Sequence, residues 1–270
     1  MKSRLLVAAV GVPLLLVILL FCPKIITALA LAFLCAVGAR EMLLTTGILK
    51  HPRMLLYSML AALLIPIWSY FGSPVLPFAI GAVVFALALF VEALLAYPKV
   101  RFESVTGALF AGIVIPLCLS GILRLLMQDR GRFLVLIPIM IPFIADAGAY
   151  FAGRFFGKRK LAPVLSPHKT IEGAIGGLAV GVLSMLIYGL VMQFAFGLGY
   201  RYVYAGLIGL VGSLVSVVGD LSFSMVKRET GIKDYGTIFR AHGGVLDRFD
   251  SVIFAAPVVE LMMLLLPVLK

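Results

Sequence analysis

Three aspartates and a run of cations late in the chain have the types and spacing that chemistry on phosphates requires. Asp247 and Asp250 stand three residues apart with Arg248 between them, at the start of a last apolar run, and Asp220 lies near the end of the run before it. Lys227, Arg228, Lys233, Asp234 and Arg240 read as the connecting loop, with Ser224 just upstream and His242-Gly243-Gly244 closing it. Carboxylate oxygens on one helical face suit a hard cation such as Mg²⁺, which also takes phosphates as ligands. Acids at a helix start also suit N-terminal capping, so both readings stand here. The paired glycines let backbone approach a phosphate closely. His242 reads as a donor to substrate or as a loop-shaping residue. Anionic headgroups could hold the cations without specificity, but their interleaving with acids argues for a formed site.

A second polar segment lies upstream. Asp146, Tyr150 and Arg154 recur at helical spacing, Ser166-Pro167 opens a turn, and Thr170 is a good N-cap for the run that begins at Ile171. Free N–H groups at that helix start, flanked by Lys169, make an anion site. Gly173, Gly176, Gly177 and Gly181 thin one face of the same helix for close packing. Ser213, Ser216, Asp220, Ser224 and Lys227 share a face in turn. That places Asp220 roughly 10 Å below Lys227, well into an apolar segment. A bare carboxylate there needs a cation or water. Either a polar funnel reaches it or a basic partner packs against it. The inventory suits phosphoryl or nucleotidyl transfer, which needs a metal, cations and placement of two polyanions more than covalent help. A Walker loop, a Rossmann glycine fingerprint and a Ser-His-Asp arrangement are all missing from the sequence.

The elements that must position these groups are membrane spans. The 270 residues are 63% hydrophobic and 13% charged, with a mean hydropathy of +1.15, against about 25% charged for soluble domains. Runs near 5–21, 25–43, 55–71, 75–97, 105–126, 133–152, 172–195, 203–226 and 251–268 approach the length that crosses a bilayer. The first follows Lys2 and Arg4 but lacks a small-residue cleavage site, so it reads as a span. Threading nine spans puts most of the 23 Lys and Arg on the side of 1–4, 39–54, 98–104, 153–171 and 227–250. The positive-inside rule makes that side cytoplasmic, and the basic surplus is topology charge, with no nucleic-acid partner implied. The two reactive segments then share one face.

The expected fold is an all-α polytopic membrane protein of about nine transmembrane helices, with a polar funnel open to the cytoplasm. Residues 1–130 form the scaffold and 131–270 carry the site. Glu92 and Glu260, the acids inside apolar runs, read as ion-paired or snorkelling groups. Cys22, Cys35 and Cys118 have no metal-ligand spacing and read as packing residues.

At this point the residues become a signature. Ser224-x-Val226-Lys227-Arg228, then Lys233-Asp234-x-Gly236, then His242-Gly243-Gly244-Val245-x-Asp247-Arg248-Phe249-Asp250 resembles that of the phosphatidate cytidylyltransferases. Ser166-Pro167-x-Lys169-Thr170-x-Glu172-Gly173 and the Asp146, Tyr150, Gly153-Arg154 segment resemble the family's second block. The resemblance implies condensation of CTP with phosphatidic acid to CDP-diacylglycerol and pyrophosphate, in a bacterial inner membrane, with the site facing the cytoplasm. It implies catalytic roles for Asp220, Lys227, Asp247 and Asp250, with Asp220, Asp247 and Asp250 holding Mg²⁺. A second, monovalent cation stays open. Asp146, Ser166, Lys169, Thr170, Ser224, Arg228, Lys233, Asp234, His242 and Arg248 would contact CTP or phosphatidic acid. Membrane lipids surround the chain, and a homo-oligomer, in the first instance a dimer, is the expected assembly. The family's usual Pro-Gly before His-Gly-Gly is Arg240-Ala241 here.

Three rivals fit less well. The aspartate spacing does not match a CDP-alcohol phosphotransferase. A CTP-dependent polyprenol kinase would need a base for its alcohol, and none stands out. A transporter would spread its polar groups over paired repeats, whereas here they sit in one half.

Overall fold

A computed structural model describes residues 2–238 and 243–269, with side chains from Gly11 onward; Arg240 and His242 lie outside the described residues. Eleven helices follow in chain order: α1 (Lys2–Leu20), α2 (Lys24–Arg40), α3 (Pro52–Tyr70), α4 (Val75–Leu95), α5 (Phe102–Leu109), α6 (Ile115–Met127), α7 (Gly131–Leu134), α8 (Ile137–Phe156), α9 (Ile171–Phe196), α10 (Tyr202–Glu229) and α11 (Leu246–Leu265). Each of the nine apolar runs is helical. Among the described residues seven helical segments are long and apolar enough to cross a membrane, so the chain is a multi-pass membrane protein. The 20-residue α11 is not one of the seven, because Asp247, Arg248, Asp250 and Glu260 interrupt it.

Two of the spans contain π-helical turns, Glu41–Thr45 after α2 and Phe110–Val114 between α5 and α6. Each inserts one residue into the helical ladder and turns a side chain away from its regular face. In the first case that side chain is Glu41.

The chain forms two compact units. One comprises Met1–Arg132 with Lys227–Phe249, the other Phe133–Val226 with Asp250–Lys270. The first unit therefore takes in the polar segment between α10 and α11.

Two local expectations are corrected. Residues 157–170 are not a simple turn. β1 (Lys160–Ala162) pairs antiparallel with β2 (Ser166–Thr170), Lys160 facing Thr170 and Ala162 facing Ser166. Ser166-Pro167 therefore opens a strand. The cause lies at the start of α9: the Glu172 carboxylate accepts the N–H groups of Lys158 at 3.0 Å and Arg159 at 3.1 Å, and the Arg159 Nε. Ile171 N–H then donates to the Arg159 carbonyl, holding the first strand against the second. The other correction concerns Lys227 and Arg228, which belong to the last turn of α10 and not to a loop.

Thr170 does cap α9, its Oγ1 accepting from Gly173 N–H at 3.1 Å. Thr170→Val is expected to lower stability by about 1 kcal/mol, read as an earlier thermal transition in detergent.

Candidate active site

In the N-terminal unit, Asp247 is a hub. Its Oδ1 accepts from Lys227 Nζ at 3.0 Å, and its Oδ2 accepts the backbone N–H groups of Tyr235 at 2.7 Å and Gly244 at 2.9 Å. The pair is buried, with side-chain exposures of 12% for Lys227 and 3% for Asp247. Lys227 also lies over the Tyr235 ring, 5.4 Å from its centroid, and Tyr235 is fully buried. A buried carboxylate carrying three donors is satisfied; removing one partner strands the others. Asp247 thus ties the end of α10 to the backbone of the connecting segment.

Sequence reasoning missed the next residue. Glu41, on the π turn after α2, is 3% exposed, and its Oε2 accepts Leu246 N–H at 3.0 Å. Its carboxylate fills the space that a Cβ on Gly244 or Gly236 would occupy, 2.4 and 2.3 Å from the nearest oxygen. Gly243, at φ +78°, takes a backbone conformation that other residues rarely adopt. The glycines therefore serve close packing against two buried carboxylates. Gly244→Ala is expected to cost about 1–3 kcal/mol through overpacking. The loss should shrink in a Glu41→Ala background, a coupling that thermal unfolding of the single and double variants would measure.

The other unit holds its own cluster. Lys169, at the end of β2, forms an ion pair with Asp220 on α10, and Ser224 Oγ donates to Asp220 Oδ1 at 3.3 Å. Side-chain exposures of 25% and 23% make this pair half-buried, less enclosed than Lys227–Asp247. Asp146 on α8 accepts from Ser251 Oγ at 3.0 Å and lies within electrostatic reach of both Asp220 and Lys169. Asp250 on α11 accepts Ser251 N–H through Oδ1 at 2.8 Å. Glycines on α9 set the helix spacing behind the cluster: a Cβ at Gly177 would meet the Ala145 carbonyl at 2.8 Å, and one at Gly173 the Ala149 carbonyl at 2.8 Å. Of the polar stripe on α10, Ser213 and Ser216 are fully buried, and Ser213 Oγ donates back to the Gly209 carbonyl at 2.7 Å. Ser224 is buried as well, so of this stripe Asp220 keeps the most side-chain exposure.

The sequence-predicted residues are thus divided. Lys169, Asp220, Ser224 and Asp146 come together in one unit, and Lys227 with Asp247 in the other. Arg228, Lys233, Asp234 and Arg248 are exposed, while Ser166 is half-buried. Tyr150, exposed on α8, accepts from the Arg154 guanidinium at 3.1 Å. Glu92 is the structural acid expected, 3.6 Å from Arg53 and accepting from Tyr57 Oη at 3.1 Å.

Asp146, Asp220 and Asp250 offer oxygen donors of the kind a hard cation takes. Among the described residues, no three His, Cys, Asp or Glu side chains are already gathered into a metal cage. Asp247, whose two oxygens already carry three donors, is committed to its segment.

Comparison with known proteins agrees with this inventory. A family profile described as "Cytidylyltransferase family" matches residues 2–266. A phosphatidate cytidylyltransferase of Aquifex aeolicus is 34% identical over 254 residues, 94% of this chain and 87% of the relative. Enzymes of the same name from Haemophilus influenzae and Bacillus subtilis are 40% and 38% identical over 176 and 157 residues, covering 60% and 58% of this chain. The matched part spans 60% and 57% of the lengths of those two relatives.

Proposed function

The chain belongs to the cytidylyltransferase family, and we propose that it condenses CTP with phosphatidic acid, giving CDP-diacylglycerol and pyrophosphate. The observation that carries this reading is the half-buried pair of Lys169, at the end of β2, and Asp220 on α10, with Asp146 in electrostatic reach, in a membrane protein. A lysine and acids together can bring a polyanionic nucleotide and an anionic lipid into one place, which neither charge alone would do.

In the proposed reaction a phosphate oxygen of phosphatidic acid forms a bond to the α-phosphorus of CTP. The bond from that phosphorus to the bridging oxygen breaks, and pyrophosphate leaves with the electron pair. The lipid phosphate is already an anion, so no base has to take a proton. Lys169 binds phosphate oxygens, with the Thr170 cap and the Glu172-bound hairpin holding it in position. The first N–H groups of α9 are already taken, Ile171 by the Arg159 carbonyl and Gly173 by Thr170 Oγ1. In the other unit the exposed cations Arg228, Lys233 and Arg248 can bind phosphate, and Asp247 keeps Lys227 and the segment around Gly244 in place. Mg²⁺, when bound, would be held by Asp146 and Asp220 together with substrate phosphates and would neutralise phosphate charge. A cytoplasmic-facing site fits the basic segments 153–171 and 227–250.

Substrate omission tests the reading. Purified protein in mixed micelles should release pyrophosphate from CTP only with phosphatidic acid and Mg²⁺ both present. Release that needs neither lipid nor metal would reject it.

A further inference from the structure

A basic cavity lies in the N-terminal unit, on residues that the proposed reaction does not use. A cavity of about 400 Å³ is lined by Lys50, His51 and Pro52 before α3, and by Lys99, Val100 and Ser104 after α4. Lys50 and Lys99 are exposed, and Ser104 Oγ braces the wall by donating to the Ile48 carbonyl at 2.7 Å. The 19-residue α3 starts here with no side-chain cap on its first-turn N–H groups, so the positive end of its dipole adds to the two ammonium groups. His51 Nδ1 is buried and has no hydrogen-bond partner among the described residues.

An apolar cavity of about 410 Å³ lies in the same unit, between α3 and α4, with Ile113 from the π turn on its wall. It extends from Tyr57 to Trp68 on α3, roughly 16 Å at the helical rise. One carboxylate links the two cavities: Glu92 accepts from Tyr57, which lines the apolar one, and lies 4.0 Å from His51 Nε2, which lines the basic one. Arg53, 3.6 Å from Glu92, balances that acid, leaving the basic cavity net positive. Lys99 and Arg101 lie in a segment whose Tyr97 and Phe102 are 77% and 68% exposed. Aromatic and basic residues interleaved at the end of apolar spans mark the headgroup level of a bilayer.

We propose that these cavities together bind one anionic diacyl phospholipid, its phosphate at Lys50, His51, Lys99 and the start of α3, and an acyl chain between α3 and α4. Charge complementarity selects the headgroup and the apolar cavity selects a lipid over a soluble phosphate. The site does not depend on the cytidylyl-transfer reading.

Phosphatidylglycerol is the probe, because it is neither substrate nor product of the proposed reaction. Full-length protein in nanodiscs would receive trace phosphatidylglycerol or phosphatidylcholine with the same photoactivatable acyl chain, and the labelled peptides would be mapped. Phosphatidylglycerol should label the 57–68 and 77–88 segments about fivefold or more above phosphatidylcholine, the scale set by lysines at a membrane surface. Lys50→Ala/Lys99→Ala should bring it down to the phosphatidylcholine level, and Ala61→Trp should exclude both lipids from these segments. Inorganic phosphate should not compete. Equal labelling by the two lipids, labelling unchanged in the lysine double variant, or displacement by inorganic phosphate would each overturn the proposal.

Discussion

Asp220→Asn should reduce turnover by a factor on the order of 10³, the scale on which preorganised charge at a reacting phosphate is lost, while leaving the protein folded. The variant keeps the shape of the side chain and a possible contact with Ser224. It removes the charge opposite Lys169 and a donor proposed for Mg²⁺. Because the pair is only half-buried, the stranded Lys169 costs less than a fully buried charge would, so the thermal transition should move little. Residual activity should need more Mg²⁺ than the wild type, a shift that a purely structural aspartate would not produce. Turnover within tenfold of wild type at the same Mg²⁺ concentration would remove Asp220 from the site.

Asp247→Asn should also abolish most activity, but by a different route. Here the charge lost is buried, and Lys227 and the N–H groups of Tyr235 and Gly244 lose a carboxylate they share. Breaking a buried pair by removing one partner costs about 3–5 kcal/mol. The cost should appear locally, as faster cleavage by trypsin after Lys233. Pairing the change with Lys227→Met removes the stranded ammonium and should restore much of the protection, since neutral replacements of buried pairs are often tolerated. Activity should stay low in both variants, because Lys227 is lost or misplaced. A single variant with wild-type turnover and wild-type trypsin resistance would show that Asp247 organises nothing.

These two expectations differ because the structure separates residues that look alike in sequence. Asp220 and Asp247 both read as Mg²⁺ ligands, and their surroundings make one a half-exposed partner of Lys169 and the other a buried hub. Helix positions were legible because apolar runs of span length leave little choice in a bilayer, where backbone groups must be satisfied internally. Thr170 was legible as a cap because the signal is local. The hairpin at 160–170 was not, since Glu172 creates it by collecting N–H groups 13 and 14 residues away. Glu41 was harder still: its partner Leu246 is 205 residues distant, and a lone acid after Arg40 looks like loop charge. A π turn leaves no spacing signature that would have marked it. Ser251 was not legible because a serine at the start of an apolar run carries no mark of its partner Asp146, 105 residues away.

Following label from CTP shows which of its phosphorus atoms is attacked and by what. Purified protein, phosphatidic acid and Mg²⁺ would be supplied with CTP labelled either at the α- or at the γ-phosphate, and the lipid and aqueous phases separated. α-Label should enter the lipid phase, matched mole for mole by γ-label released into water as pyrophosphate. γ-Label in the lipid phase, with CDP left in water, would contradict it and make the protein a CTP-dependent lipid kinase.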